Sequence, residues 1–171
     1  MAVLTQEGVR LGLVAEDKAD ALRQSGEVLV EIGAAEPPYA DAIFEREESV
    51  STYLGEGVAI PHGTNESREF INEARIAYLQ FPEGVDWGGG NIVYACIPIA
   101  SASEEHVEVL ASLAQVLMVP ESAEKLRNAS AVEDVLSLLA PQEEEVASVE
   151  EDSSATDQGE QNEGVSEDPT P

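Results

Sequence analysis

Residues 74–100 read ARIAYLQFPEGVDWGGGNIVYACIPIA, and the fold turns on how this stretch is interpreted. Residues 74–81 and 91–100 are rich in β-branched and aromatic side chains and predict two strands. Between them, Pro82-Glu83-Gly84 and Gly88-Gly89-Gly90 supply turn chemistry. That connection is too short for a helical crossover, so the two strands are expected to run antiparallel. Cys96 falls mid-strand among Tyr94, Ala95 and Ile97, the position of a small core residue rather than a nucleophile.

On the N-terminal side, residues 9–13 form a short apolar strand candidate. Residues 17–32 predict an amphipathic helix, with Ala21, Leu22, Val28, Leu29 and Ile32 near helical spacing and Gly33 as its stop. Pro37-Pro38 opens a second helix running to about residue 48, Pro38 being suited to a first turn. Residues 53–60 have strand character, interrupted by Gly55 and Gly57. On the C-terminal side, Ser101-Ala102-Ser103-Glu104 offers a capping box for a helix to about residue 118. Shorter helices follow over 122–128 and 132–139. Interleaved strands and helices predict a three-layer α/β sandwich, a mixed β-sheet flanked by helices on both faces.

The 171 residues suffice for one well-buried domain, assigned to residues 1–140. Residues 141–171 are rich in Glu, Asp, Ser, Gln, Gly and Pro, with no aromatic residue and no apolar periodicity, and predict an acidic disordered tail. The net charge is −27: all eight Lys and Arg and 24 of the 35 acids lie in residues 1–140, the other 11 acids in the tail. Such a surface repels phosphates and anionic bilayers, which argues against nucleic acid and against membrane docking. A salty cytoplasm would account for the acidity; so would a solvated surface with an acidic tail. No apolar run approaches the length of a membrane span, and residues 1–10 lack the pattern of a signal peptide. A single cysteine gives no reason to invoke an oxidising compartment, so a cytoplasmic protein is expected.

The candidate chemistry is sparse. Two histidines and a lone cysteine argue against a metal site. Gly55-x-Gly57 lacks the third glycine of a dinucleotide fingerprint, Ile60 standing in its place, so no cofactor is expected. His62 is more informative. It follows the apolar Val58-Ala59-Ile60 and Pro61, which cannot continue a central strand because it has no N–H. The chain is therefore expected to leave the sheet at Pro61 and present His62 at the rim, where α/β folds commonly place their sites. Gly63 beside it would leave room for a bulky partner. On residues alone His62 is either a hydrogen-bonded turn histidine or a working group. His106 is expected in the first turn of the helix capped by Ser101 or Ser103, where the dipole disfavours an imidazolium and free N–H groups favour an anion. It could equally be a surface histidine. Arg46, in Glu45-Arg46-Glu47-Glu48, belongs either to a salt-bridged solvated face or to a set of groups that holds a phosphoryl group.

The run 44–64, FEREESVSTYLGEGVAIPHGT, closely resembles the active-site segment of mannitol/fructose-type enzyme IIA, the phosphocarrier domain of the bacterial phosphoenolpyruvate:sugar phosphotransferase system. The likeness continues through LQFPEGV at 79–85 and EHV at 105–107 to VEDVL at 132–136, and stops at the acidic tail. The LQFPEGV segment leans toward the mannitol branch; the alternatives are a fructose-specific carrier and a regulatory module of the nitrogen-related type. The resemblance implies a mixed sheet between helices and a phosphohistidine at His62, formed through Nε2. It further implies that Arg46 and His106 support the phosphoryl group. The partners implied are phospho-HPr as donor and a cysteine of enzyme IIB, from a mannitol or fructose permease, as acceptor.

Overall fold

The computed structural model describes residues 3–102 and 107–139. In chain order they form β1 (Leu4–Arg10), α1 (Lys18–Glu31), α2 (Pro37–Ser49), β2 (Tyr53–Gly55), β3 (Val58–Ala59) and a 3-10 helix (Asn65–Phe70). Then come β4 (Arg75–Gly88), β5 (Asn91–Cys96), β6 (Ile99–Ala100), α3 (Val107–Met118), α4 (Pro120–Arg127) and α5 (Val132–Leu139). The strands make one sheet in the order β1-β4-β5-β3-β2, with β6 also pairing with β4. β1 is parallel to β4 and β3 to β5, whereas β4–β5, β4–β6 and β2–β3 are antiparallel, so the sheet is mixed as expected.

Strand alternation sends successive side chains to opposite faces. Ala77, Leu79 and Phe81 join Leu22, Leu29, Tyr39 and Ile43 of α1 and α2 in one buried cluster. Ile76 and Tyr78, with Ala95 and Ile97, join Leu113, Leu126, Val135 and Leu139 of α3, α4 and α5 in another. Two cores, one on each face, make the three layers. Cys96 is fully buried, and burial pushes its thiol up to about 12, as befits a core residue.

The structure departs from the sequence expectation in two strands. The N-terminal strand is Leu4–Arg10, not 9–13. Gly12, at φ 68°, ends the extended run, and the next amide, that of Leu13, donates to the Gln80 carbonyl at 2.9 Å. The segment Pro82-Glu83-Gly84 is not a turn. β4 continues through it as a bulge, the pairing shifting register between Gln80 and Val85 while Pro82 and Glu83 face solvent. Gly84 holds φ 84° there, and a Cβ on it would lie 2.7 Å from the Ile92 side chain. The reversal into β5 is left to Gly89 and Gly90. The capping box expected at 101–104 falls partly, and the tail wholly, outside the described residues.

One polar side chain ties the layers together. The buried Gln80 accepts from the Gly12 amide at 3.0 Å and donates from Nε2 to the carbonyls of Arg127 and Ala129, at 3.0 and 2.7 Å. Replacing it by leucine leaves three backbone groups without that partner. Gln80→Leu is expected to lower stability by about 2–4 kcal/mol in urea denaturation, several of the ~1–3 kcal/mol losses for buried unpaired groups acting at once. An unchanged midpoint would show that water replaces the amide.

Candidate functional site

β3 lies beside β5, and past its end the two chains stay together. The Ile97 amide donates to the Ala59 carbonyl at 2.8 Å, the Ile99 amide to the Pro61 carbonyl at 2.9 Å, and His62 bridges Ile99 in parallel. β3 ends at Ala59, before Pro61, yet the chain does not leave the sheet at Pro61 as expected: pairing runs on through the Pro61 carbonyl to the His62–Ile99 bridge, where His62 sits half-buried at the rim. The ring is fixed locally: Nδ1 stands 2.8 Å from the Ile60 carbonyl oxygen. A carbonyl can only accept, so Nδ1 carries the proton. In the neutral ring the lone pair is therefore on Nε2.

The space over Gly63 is not open to a partner, contrary to the sequence expectation. A Cβ at Gly63 would lie 2.6 Å from both Ser67 Oγ and Tyr39 Cε1. The glycine lets the Tyr39 ring pack directly on the backbone that follows His62. The Tyr39 hydroxyl accepts from the Gly63 amide at 3.0 Å and donates to the Ile99 carbonyl at 2.8 Å. It thereby joins the two strand extensions on either side of His62. Burial raises its phenol above the ordinary value against the Gly63 hydrogen bond, so it stays a neutral donor.

Arg46 stands in the last turn of α2 and donates from Nη1 to the Val50 carbonyl at 2.8 Å. Among the described residues it makes no ion pair, and no hydrogen bond joins it to His62. The two are tethered to one frame, however. Val50 lies two residues before Thr52, His62 two residues after Ile60, and the Ile60 amide donates to the Thr52 carbonyl at 3.0 Å. His106 lies outside the described residues. The sequence alone does not mark Tyr39 and Glu47 as parts of this frame. Both share a helical stripe with Ile43, at spacings of four, and a glutamate on that apolar stripe is the signal that could have exposed Glu47.

Fold and site together define a class: a mixed-sheet α/β domain that presents one oriented imidazole at its sheet rim, with a guanidinium anchored to the same frame. The family described as phosphoenolpyruvate-dependent sugar phosphotransferase system, EIIA 2, matches residues 2–141. The chain is 41% identical over 139 residues to the mannitol-specific phosphotransferase enzyme IIA component of Geobacillus stearothermophilus, covering 81% of this chain and 96% of that protein. It is also 41% identical over 139 residues to the mannitol-specific EIICBA component of Vibrio cholerae, of which it spans 21% while 80% of this chain is covered. Among solved structures, the Escherichia coli complex of enzyme IIA-mannitol with phosphorylated enzyme IIB-mannitol superposes with a TM-score of 0.72 at 38% identity, over 78% of this chain and 94% of that one. The chain belongs to the phosphoenolpyruvate-dependent sugar phosphotransferase system EIIA 2 family.

Any side chain at position 63 has to displace Tyr39 or Ser67. Gly63→Ala is expected to destabilise by about 1–3 kcal/mol, the usual range for overpacking, read from the shift of a chemical-denaturation midpoint. A wild-type midpoint would mean that Tyr39 can move aside without loss.

Proposed function

We propose that this chain is the phosphocarrier of a mannitol phosphotransferase system, with His62 as the residue that carries the phosphoryl group. The observation that carries the reading is the hydrogen bond from His62 Nδ1 to the Ile60 carbonyl in a chain of this family. It leaves Nε2 as the nucleophilic nitrogen of a half-buried ring. Mannitol is favoured by the LQFPEGV segment and by the names of the relatives, one of which was solved together with phosphorylated enzyme IIB. The reading puts the protein in the cytoplasm; among the described residues no helix is long and apolar enough to cross a membrane.

In the forward step the Nε2 lone pair attacks the phosphorus of phospho-HPr in line. The donor's P–N bond breaks, and its electron pair returns to the donor imidazole. The His62 ring gains positive character as the new bond forms, and the Ile60 carbonyl at Nδ1–H stabilises it. In the onward step a thiolate of enzyme IIB attacks the phosphorus and the Nε2 pair is recovered. Such transfer needs positioning and charge stabilisation rather than further covalent chemistry. Arg46 would keep one N–H on Val50 and offer the rest of its guanidinium fork to the phosphoryl oxygens. His106 would complete the oxygen contacts.

Incubation with phosphoenolpyruvate, enzyme I and HPr is expected to give an acid-labile, base-stable phosphate on His62, located by peptide mass spectrometry. Retention of phosphate at the normal rate in His62→Ala would remove His62 from the role. Arg46→Ala and His106→Ala are each expected to slow transfer by about 100- to 1,000-fold, the range for losing one group that stabilises transition-state charge. Their melting temperatures should stay near that of the wild type. Unaltered stopped-flow kinetics in either would exclude that residue.

A further inference from the structure

Beside Arg46 on α2, a carboxylate has been taken almost wholly out of water: the Glu47 side chain is 3% exposed. It accepts from the Thr52 amide at 3.1 and 3.2 Å, from the Thr52 hydroxyl at 2.6 Å and from Trp87 Nε1 at 3.1 Å. Its ion pair is with Lys18 at 3.0 Å, and the Lys18 ammonium sits 5.1 Å from the centre of the Trp87 ring. Burial works against the charge. The Thr52 and Lys18 contacts outweigh it and hold the carboxyl below the ordinary glutamate value, so it is ionised at neutral pH. A buried ion pair of this kind is weak support for stability, since an apolar replacement of similar shape often does as well. What it does supply is a defined position for every group it binds, and those groups lead to His62.

The path is continuous. Glu47 grips Thr52 by both amide and hydroxyl. The Thr52 carbonyl accepts from the Ile60 amide at 3.0 Å, and the Ile60 carbonyl accepts from His62 Nδ1 at 2.8 Å. One residue back along α2, Arg46 holds Val50, so consecutive side chains of one helix turn grip the two ends of the segment 50–52. Thr52 has no regular strand pairing of its own, since β2 begins at Tyr53. Besides the Ile60 amide on its carbonyl, its amide and hydroxyl are held by the glutamate. We infer that Glu47 is a positioning residue for His62, acting through Thr52 and Ile60 to aim the ring and keep its proton on Nδ1. The inference rests on His62 being the carrier, but its structural half can be read without any phosphate.

The test uses the full unphosphorylated chain with 15N-labelled histidine. Two-bond proton–nitrogen correlations report the tautomer of His62, and a His62→Ala spectrum separates it from His106. At a pH of about 8.5 the wild type is expected to show the Nδ1–H tautomer. In Glu47→Gln and Thr52→Val, a substantial fraction should move to Nε2–H. The transfer rate at saturating phospho-HPr should fall about 10-fold, with KM for phospho-HPr within about 2-fold, because misaiming the nucleophile affects the chemical step. Thr52→Ser, which keeps the hydroxyl, should restore both readouts. Thr52→Val serves where Glu47→Gln does not fold. A folded variant with the wild-type tautomer and rate would overturn the inference. A slower rate with the tautomer unmoved would also overturn it, leaving Glu47 a purely structural role. If the wild type accepts no phosphate at all, the carrier assignment falls, and the tautomer comparison still decides whether Glu47 sets the ring.

Discussion

A single hydrogen bond, 2.8 Å from His62 Nδ1 to the carbonyl of Ile60, sets the state of the imidazole on which the proposed function rests. It fixes which nitrogen of the neutral ring holds the lone pair and where the ring points, and both depend on the Ile60 carbonyl staying put. That carbonyl belongs to the peptide that joins Ile60 to Pro61, just past the end of β3 at Ala59. The peptide is held from one side by Thr52 and from the other by the pairing of Pro61 with Ile99. The hydroxyl of Tyr39 then joins Gly63 to Ile99. The imidazole is thus mounted on a frame closed on both sides, although the residue itself lies beyond the last regular strand position.

Helix α2 supplies most of that frame. Tyr39, Arg46 and Glu47 all come from it, and Ile43 anchors the same stripe in the core between the helices and the sheet. The helix starts with Pro37 at its first position and is pressed against α1. A helix that packs along one face of the sheet and ends near its rim can deliver a donor, a carboxylate and a guanidinium to one place. Placement on a packed element is what keeps such groups within the tolerance that group transfer demands.

Much of this was legible in the sequence, and the reasons for the exceptions are physical. The paired halves of β4 and β5 are legible because both faces of the sheet are buried there, so nearly continuous β-branched and aromatic runs mark them, and the helices on either face show apolar stripes. The first strand is harder to read because Leu4–Arg10 lies at the sheet edge and carries polar residues, while the run 9–13 is broken by the left-handed Gly12. The bulge at Pro82–Gly84 has the composition of a turn; only the register shift tells the two apart. His62 could be found because proline and glycine bracket it, and the family resemblance supplied the chemistry. The role of Gly63 is not legible locally, because it is to admit Tyr39, 24 residues away. The roles of Glu47, Thr52 and Gln80 are hidden for the same reason: a buried polar group is defined by distant partners, and local periodicity does not encode them.

The central claim is that His62 carries the phosphoryl group on Nε2 while Nδ1 keeps its proton on Ile60. Phosphorus–nitrogen coupling in the 15N-histidine-labelled phosphoprotein tests this most directly. The account predicts that phosphorus couples to Nε2 of His62 and that a proton is retained at Nδ1. Phosphorus bonded to Nδ1 of His62, or to any other residue, would contradict it.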